Sequence, residues 1–459
     1  MSDNMKNANP LGTRPVGSLL RSFAIPSIVS MLVGSLYNIV DQFFIGQKVG
    51  ELGNAATNIA FPFSIACIAT ALLFGIGGAS AFNLSMGRGE KEKAKYFMGN
   101  AAMMSFLCGL VLLVIAELFL NQLLLFFGTT SDILPYAREY SRITALGFPM
   151  LIFTSTGGHL IRADGRPRIS MICNLSGAII NTILDALFVF VFGWGMTGAA
   201  IATVIGQYVS GALAMWFMAH GKTAQLEKKH LKIKKEYILP SISLGFAPTS
   251  NQLAMMIVQI VLNNSLKHYG ALSVYGAATP IAVVGIASKV NQLFMSFIIG
   301  MSQGLQPISS YNYGARKYSR VRQAYIMTVS IGFIMSSCAW IVFFFFPDQI
   351  ISIFGKEENE YYYLFAIRYF KIYLFFTMVN FVQPITSNFF TSIGKAKIGS
   401  FLSMTRQIVF LLPLIILLPL FWGIDGIMYA GPIADFSAFL IAALLVIREF
   451  KCMSKLKEA

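Results

Sequence analysis

Two aspartates stand where the chain is otherwise built for lipid. Asp41 sits in LYNIVDQFFIG, residues 36–46, and Asp185 closes NTILD ahead of ALFVFVFGWG. A carboxylate near a bilayer's centre costs about 2.5–3.5 kcal/mol on insertion scales and less toward the interface. Either Asp41 faces headgroups, or it holds a cation or a shared proton. Its neighbours favour the second reading. Asn181 lies four residues before Asp185, and Tyr37 four before Asp41, so each shares a helix face with its aspartate. At about 1.5 Å per residue, a first helix ending near Lys48 and a fifth ending near Phe192 put both carboxylates about 10 Å below the outer surface. Thr203, entering on the sixth helix, and Tyr140, on the fourth, reach a similar level. Two carboxylates, an amide, a hydroxyl and two phenols can therefore meet in one half. Oxygen ligands of this kind suit Na⁺ or a shared proton.

Three further charges fall inside apolar stretches of the second half. Arg406 and Asp435, near mid-depth, read as a structural ion pair. Lys289 fits three roles: a substrate contact, a partner of Asp435, or a lysine reaching up to the interface. Together they form the polar or substrate-contacting set of the C-terminal half.

These residues need membrane helices to position them. Hydrophobic residues make up 56% of the 459 and charged residues 12%, against about 25% charged in a soluble domain. Apolar runs such as GLVLLVIAELFL and LLPLIILLPLF recur, each within a stretch long enough to span as a helix. Strict alternation of polar and apolar residues is absent, which argues against a β-barrel. The net charge of +15 collects in alternate loops: Arg88–Lys95, Arg162–Arg168, Lys222–Lys235, Arg316–Arg322, Lys395–Lys397 and Arg448–Lys457. That repeated asymmetry predicts about twelve helices with both termini cytoplasmic, and it needs no nucleic acid to explain it. The same topology puts Asp132, Glu358 and Asp425 outside and Lys229 inside. MSDNMKNANPLGTRP is polar and lacks an apolar core, so the first span is expected as an uncleaved helix. The cysteines (Cys67, Cys108, Cys173, Cys338, Cys452) are scattered and fit neither a disulfide framework nor a zinc site.

The chain repeats itself. AATNIA at Ala55 returns as AATPIA at Ala277, and AIP ending at Pro26 as FAP ending at Pro248, both 222 residues on. GRPRIS at Gly165 parallels GKAKIGS at Gly394, and GMTG ending at Gly198 parallels GIDG ending at Gly426. The expected fold is an all-α polytopic membrane protein of two pseudo-symmetric six-helix bundles, related as parallel repeats with a transport path between them. The expected boundaries are a cytoplasmic tail at 1–18, bundles at 19–221 and 241–447, a basic linker at 222–240 and a tail at 448–459. At the same shift Asp41 corresponds to Asn263 and Tyr37 to Gln259, while Asp185 falls on the apolar Pro413–Leu414 region. Ion coupling should therefore belong to the first half alone. Pro26, inside the first helix, removes one backbone hydrogen bond and clashes with the turn before it, which makes it a candidate hinge.

The chain resembles the multidrug and toxic compound extrusion (MATE) family over essentially its whole length. The resemblance rests on Pro26 followed by LYNIVDQFFIG, on AATNIAFPF, on GIGGAS with GRGEKEKA, and on NTILD followed by GAAIAT. It implies two six-helix bundles around a V-shaped cleft. It also implies export of amphipathic, often cationic, drugs or toxins in exchange for inward Na⁺ or H⁺. In the best-matching branch the coupling residues fall on Asp41, Tyr140, Asn181, Asp185 and Thr203, and the bending proline on Pro26. Asp41, Asn181, Asp185 and Thr203 would be the ligands if Na⁺ is the ion. Another branch carries acids in the seventh and tenth helices. NQLAMMIVQIVLNN and LFFTMVNFVQPITS hold none, so that second site is not expected here.

The functional expectation is thus a secondary antiporter of the cell (inner) membrane, not an enzyme, working by alternating access. Its partners are membrane lipids and small amphipathic organic substrates, it acts as a monomer, and it needs no cofactor beyond Na⁺ or H⁺ as coupling ion. The nearest alternative is a flippase of the same superfamily carrying lipids or lipid-linked oligosaccharides. That role wants basic residues in the cavity, and only Lys289 and Arg406 offer themselves. An intramembrane aspartyl protease also pairs two membrane aspartates, but it would want a GxGD motif, which the chain lacks. A channel is disfavoured because no short re-entrant filter segment stands out.

Overall fold

A chain this apolar must satisfy its backbone hydrogen bonds within itself, and it does so as helices. The computed structural model describes residues 9–129, 131–221, 226–276, 278–353 and 360–458, and no strand occurs among them. Ala277 of the internal repeat, Glu358, residues 1–8 of the tail and 222–225 of the linker lie outside the described residues.

The first half runs through α1 (Val16–Lys48), α2 (Glu51–Gly87), α3 (Lys91–Leu118), the split pass α4 (Leu134–Ala145) and α5 (Phe148–Ala163), α6 (Pro167–Asp185) and α7 (Gly195–Ala219). The second runs through α8 (Lys235–Ala271), α9 (Ala278–Gly314), α10 (Tyr318–Phe345), α11 (Glu360–Tyr373) with α12 (Val382–Ser392), α13 (Ala396–Met404) with α14 (Leu412–Trp422), and α15 (Ile424–Met453). Each half thus crosses six times. Among the described residues nine helices are individually long and apolar enough to span, or ten when the pair bent by 41° near Phe375 counts as one. The two remaining passes have plain reasons for escaping a hydropathy test. One is split between Ala145 and Phe148, and α8 carries Asn251, Gln252, Gln259, Asn263 and Asn264. Large apolar side chains such as Val111, Ile183, Ile334 and Leu420 are exposed on the outer faces, as lipid contact requires.

Some boundaries differ from the sequence reading. Helix α8 starts at Lys235, inside the expected linker, because its first turn can lie in water while its apolar face continues downward. Helix α15 continues to Met453, and α1 starts at Val16. The linker itself is docked. His230 is fully buried against α3, where Asn100 Nδ2 donates to His230 O (3.2 Å) and Lys232 O (3.1 Å), and Lys234 N donates to Asn100 Oδ1 (2.8 Å). A hydrogen bond to Glu227, assisted by the charges of Glu227 and Glu92, holds the Lys229 ammonium above the ordinary lysine range.

Helix α1 belongs to both lobes. Its inner residues Leu19, Leu20, Phe23 and Ala24 pack in one core with Val258, Leu262 and Val283 of the second lobe. Its outer residue Ile45 packs with Ala56, Leu124 and Val189 of the first. Pro26, buried, sits next to the change of partner. On either side of it the backbones of α1 and α9 nearly touch. A Cβ on Gly304 would lie 2.6 Å from Ala24 Cα, and one on Gly300 would lie 2.5 Å from Ile28 Cα.

Polar ties close the same end of the molecule. Gln306 Nε2 donates to Ile76 O (3.1 Å) and Ser80 Oγ (3.0 Å), Asn312 Nδ2 to Leu11 O (2.9 Å), and Lys317 Nζ to Gly12 O (2.9 Å). Farther out, Ser35 and Ser296 meet across the lobes at 2.8 Å. Beyond that level Gln259, Asn263 and Lys289 are exposed. The cleft is shut at the face that carries the termini and open at the other.

Candidate functional site

The site begins with a close helix crossing. Where α6 meets α7, a Cβ on Gly206 would lie 2.7 Å from Gly177 O and 3.0 Å from Asn181 Cβ, so only glycine permits the approach. At that spacing Asn181 Nδ2 donates to Thr203 Oγ1 at 3.2 Å. One turn on, Asp185 ends the α-helical part of α6, and a π-helical turn, Ala186–Val191, follows directly. Such turns insert a residue and re-aim side chains, often at functional positions.

The outer part of α1 completes the cluster. Asp41, 8% exposed, lies with its carboxyl within hydrogen-bonding reach of that of Asp185, which is 1% exposed. The phenols of Tyr37 and Tyr140 reach Thr203 and lie beside both carboxyls. All six candidate residues of the first half therefore meet. Four buried oxygens there receive no hydrogen bond: Asp41 Oδ1, Asn181 Oδ1 and both carboxyl oxygens of Asp185. Two carboxylates side by side in low dielectric cannot both stay charged unless a cation or a proton lies with them. The donor set, all oxygen, fits a hard monovalent cation or a shared proton. Among the described residues no group of three or more His, Cys, Asp or Glu gathers. The cluster is therefore two acids surrounded by neutral oxygens.

Among the described residues the second half holds no counterpart. Gln259 and Asn263, at the positions of Tyr37 and Asp41, are exposed, and Gln259 Nε2 donates to Asn263 Oδ1 at 3.0 Å along their own helix. Arg406 Nε donates to Asp435 Oδ1 at 2.5 Å, with Asp435 buried and Arg406 half-buried beside the stacked rings of Tyr369 and Tyr373. Asp435 is thereby taken, so Lys289 is not its partner. Lys289 instead lies seven residues outward of Ser296, and Asp41 six outward of Ser35, so both sit about 10 Å above the last inter-lobe contact.

The cluster opens into a cavity of about 250 Å³ inside the first lobe. Tyr37, Asn181 and Thr203 line one end, and His159 and Arg162 the other. Between them Asn174 Nδ2 donates to Ser30 Oγ at 2.8 Å. Sequence reasoning missed this inner end. Arg162 was counted with the basic loop Arg162–Arg168, yet it lies in the last turn of α5 and is 4% exposed. The available signal was its place one helical turn after His159 in the continuous apolar-and-small run TSTGGHLIRA.

A family model described as MatE matches residues 26–187 and 251–417. The chain is 24% identical over 425 residues to the multidrug export protein MepA of Staphylococcus haemolyticus, covering 92% of each chain. In structure it is similar to a MOP superfamily transporter from Pyrococcus furiosus, with TM-score 0.90, 22% identity, and 97% of this chain and 98% of that one covered. It is also similar to an outward-facing multidrug resistance MATE family transporter, with TM-score 0.89, 21% identity and coverages of 97% and 98%.

Proposed function

The chain belongs to the MatE family of membrane transporters, and on that premise we propose that it is a secondary antiporter exporting amphipathic, often cationic, molecules in exchange for inward Na⁺ or H⁺. The observation that carries this reading is the pair Asp41 and Asp185, buried together with four undonated oxygens on the open side of a shut gate. In this conformation the pair takes a cation from outside, because an unneutralised double charge there is unfavourable. Neutralising it changes what the outer part of α1 can hold. The inner part of α1, fastened to the second lobe, then moves relative to it at Pro26. A cationic substrate arriving from the other side restores the need to release the coupling ion, and this mutual exclusion makes the exchange obligatory. The relatives named for multidrug export support the substrate class. Of the two basic residues that the flippase reading could draw on in the second half, Arg406 is bound to Asp435, which leaves Lys289.

The test is efflux of ethidium from proteoliposomes with Na⁺ and pH gradients imposed separately. One gradient alone should drive export, and it identifies the ion. Export under neither gradient, with binding intact, defeats the antiport reading.

A further inference from the structure

The first-lobe cavity has an end lined by the neutral Tyr37, Asn181 and Thr203 and an end lined by Arg162, which among the described residues has no carboxylate counter-ion. Arg162 Nη1 donates to Ser170 Oγ at 3.1 Å, and Ser170 Oγ itself donates to Gly158 O at 2.8 Å. Arg162 Nη2 lies 3.0 Å from His159 Nδ1, which must accept, because the guanidinium has only donors. That fixes the remaining imidazole proton on Nε2 of a neutral ring. Among the described residues no carboxylate pairs with Arg162, and the neighbouring Asp164 pairs with Arg166 at 2.9 Å. A guanidinium presents five N–H groups in a planar fork, and these two contacts use only part of it. The carbonyl end of α5 offsets the charge in part. Burying it without a carboxylate is still unfavourable in general.

We infer that Arg162, with His159 beside it, forms an anion subsite at the inner end of this cavity. The ligand it selects is an amphipathic molecule with a carboxylate head. A planar fork matches a planar two-oxygen anion in a way a point charge does not. Asn174, Ser30, Thr154 and Gln207 along the wall offer neutral polar contacts to the body of such a molecule. The acidic pair and the anion subsite are not one site. Ser170, which holds Arg162, and Asp185 are fifteen residues apart on α6, about 22 Å. A small acid can therefore occupy the inner end while the coupling ion occupies the outer one. The inference rests on reading this lobe as part of the path for amphipathic molecules.

The experiment uses a matched probe pair, dansylglycine and its amide, which differ only in the carboxylate. Binding to the full-length protein in nanodiscs is read by dansyl fluorescence, with empty nanodiscs subtracted and no gradient imposed. The carboxylate should bind about tenfold more tightly than the amide, the factor expected from one charge-assisted hydrogen-bonding contact. Arg162→Gln should bring the two affinities together, and Arg162→Lys should recover part of the difference. Equal affinities in the unmutated protein, or an Arg162→Gln loss shared by both probes, would overturn the inference. Should Arg162→Gln fail to fold, benzoate competition on the unmutated protein decides. Benzoate should displace dansylglycine and leave the amide bound, and displacement of both or neither rejects the subsite. Because no ion gradient enters the measurement, its outcome is separate from that of the coupling test.

Discussion

The chemistry of this molecule is concentrated in side chains that would each be costly alone. Asp41 and Asp185 are tolerable together once a cation or proton offsets one of the two charges, and Asn181, Thr203 and the phenols of Tyr37 and Tyr140 supply the surrounding oxygens. Replacing either acid with asparagine keeps the shape and removes one of the two charges that hold the ion. Asp41→Asn and Asp185→Asn should each lower gradient-driven ethidium efflux by at least about tenfold, with membrane insertion and monodispersity unchanged. Asn263→Ala, at the corresponding place in the exposed pair of the second lobe, should retain most of the rate. Equal losses from Asn263→Ala and Asp185→Asn would mean the two lobes share the coupling.

At the level of helices, two crossings set what the side chains can do. The first is Gly177 against Gly206. A valine at position 206 would drive α6 and α7 apart at the turn that holds Asn181 beside Thr203. Gly206→Val should cost about 1–3 kcal/mol of stability, read as a lower melting midpoint in detergent, and should abolish coupled efflux. A variant with full efflux would show that the crossing has slack. The second is Pro26, where α1 passes from one lobe's core to the other's. Pro26→Ala restores a backbone hydrogen bond without touching the cation ligands. It should keep dye binding and lose most turnover. Turnover equal to the unmutated protein at matched expression would reduce Pro26 to a fixed kink.

At the scale of the whole molecule, contacts near the face that bears the termini tie the two lobes together. The approach of Gly304 to Ala24 leaves no room for a side chain in this conformation. Gly304→Leu should therefore shift the population toward a conformation open at that face. Spin labels across the inner gate should report longer distances than in the unmutated protein, and unchanged distances would show that the gate is not built on this contact. Topology is tested with an impermeant thiol reagent on intact cells, in a background with the native cysteines replaced. A cysteine at Asp132 should label and one at Lys229 should not. Asp425 is a poorer reporter, because it lies in the first turn of α15, where Arg368 Nη2 donates to its carboxylate at 3.0 Å, and a cysteine there would remove that ion pair.

The sequence alone determined the fold class, because lipid demands long apolar helices and the basic residues collect in alternate loops. It determined the six residues of the acidic cluster as well, since depth along a helix is arithmetic and each pair at i, i+4 shares a face. Which charges lie inside, and beside what, was left to the tertiary structure. Arg162 reads as a loop cation by its neighbours Arg166 and Arg168, and only the packing of α5 against α6 buries it beside His159 and Ser170. Lys289 had three open roles until Arg406 was seen to occupy Asp435. The docking of the linker through Asn100, and the division of α1 between two cores, are likewise choices among faces of long apolar helices. Such helices are hydrophobic on nearly every side, so their sequence carries little record of which side meets which neighbour. That choice is made by small residues and a few hydrogen bonds far apart in the chain.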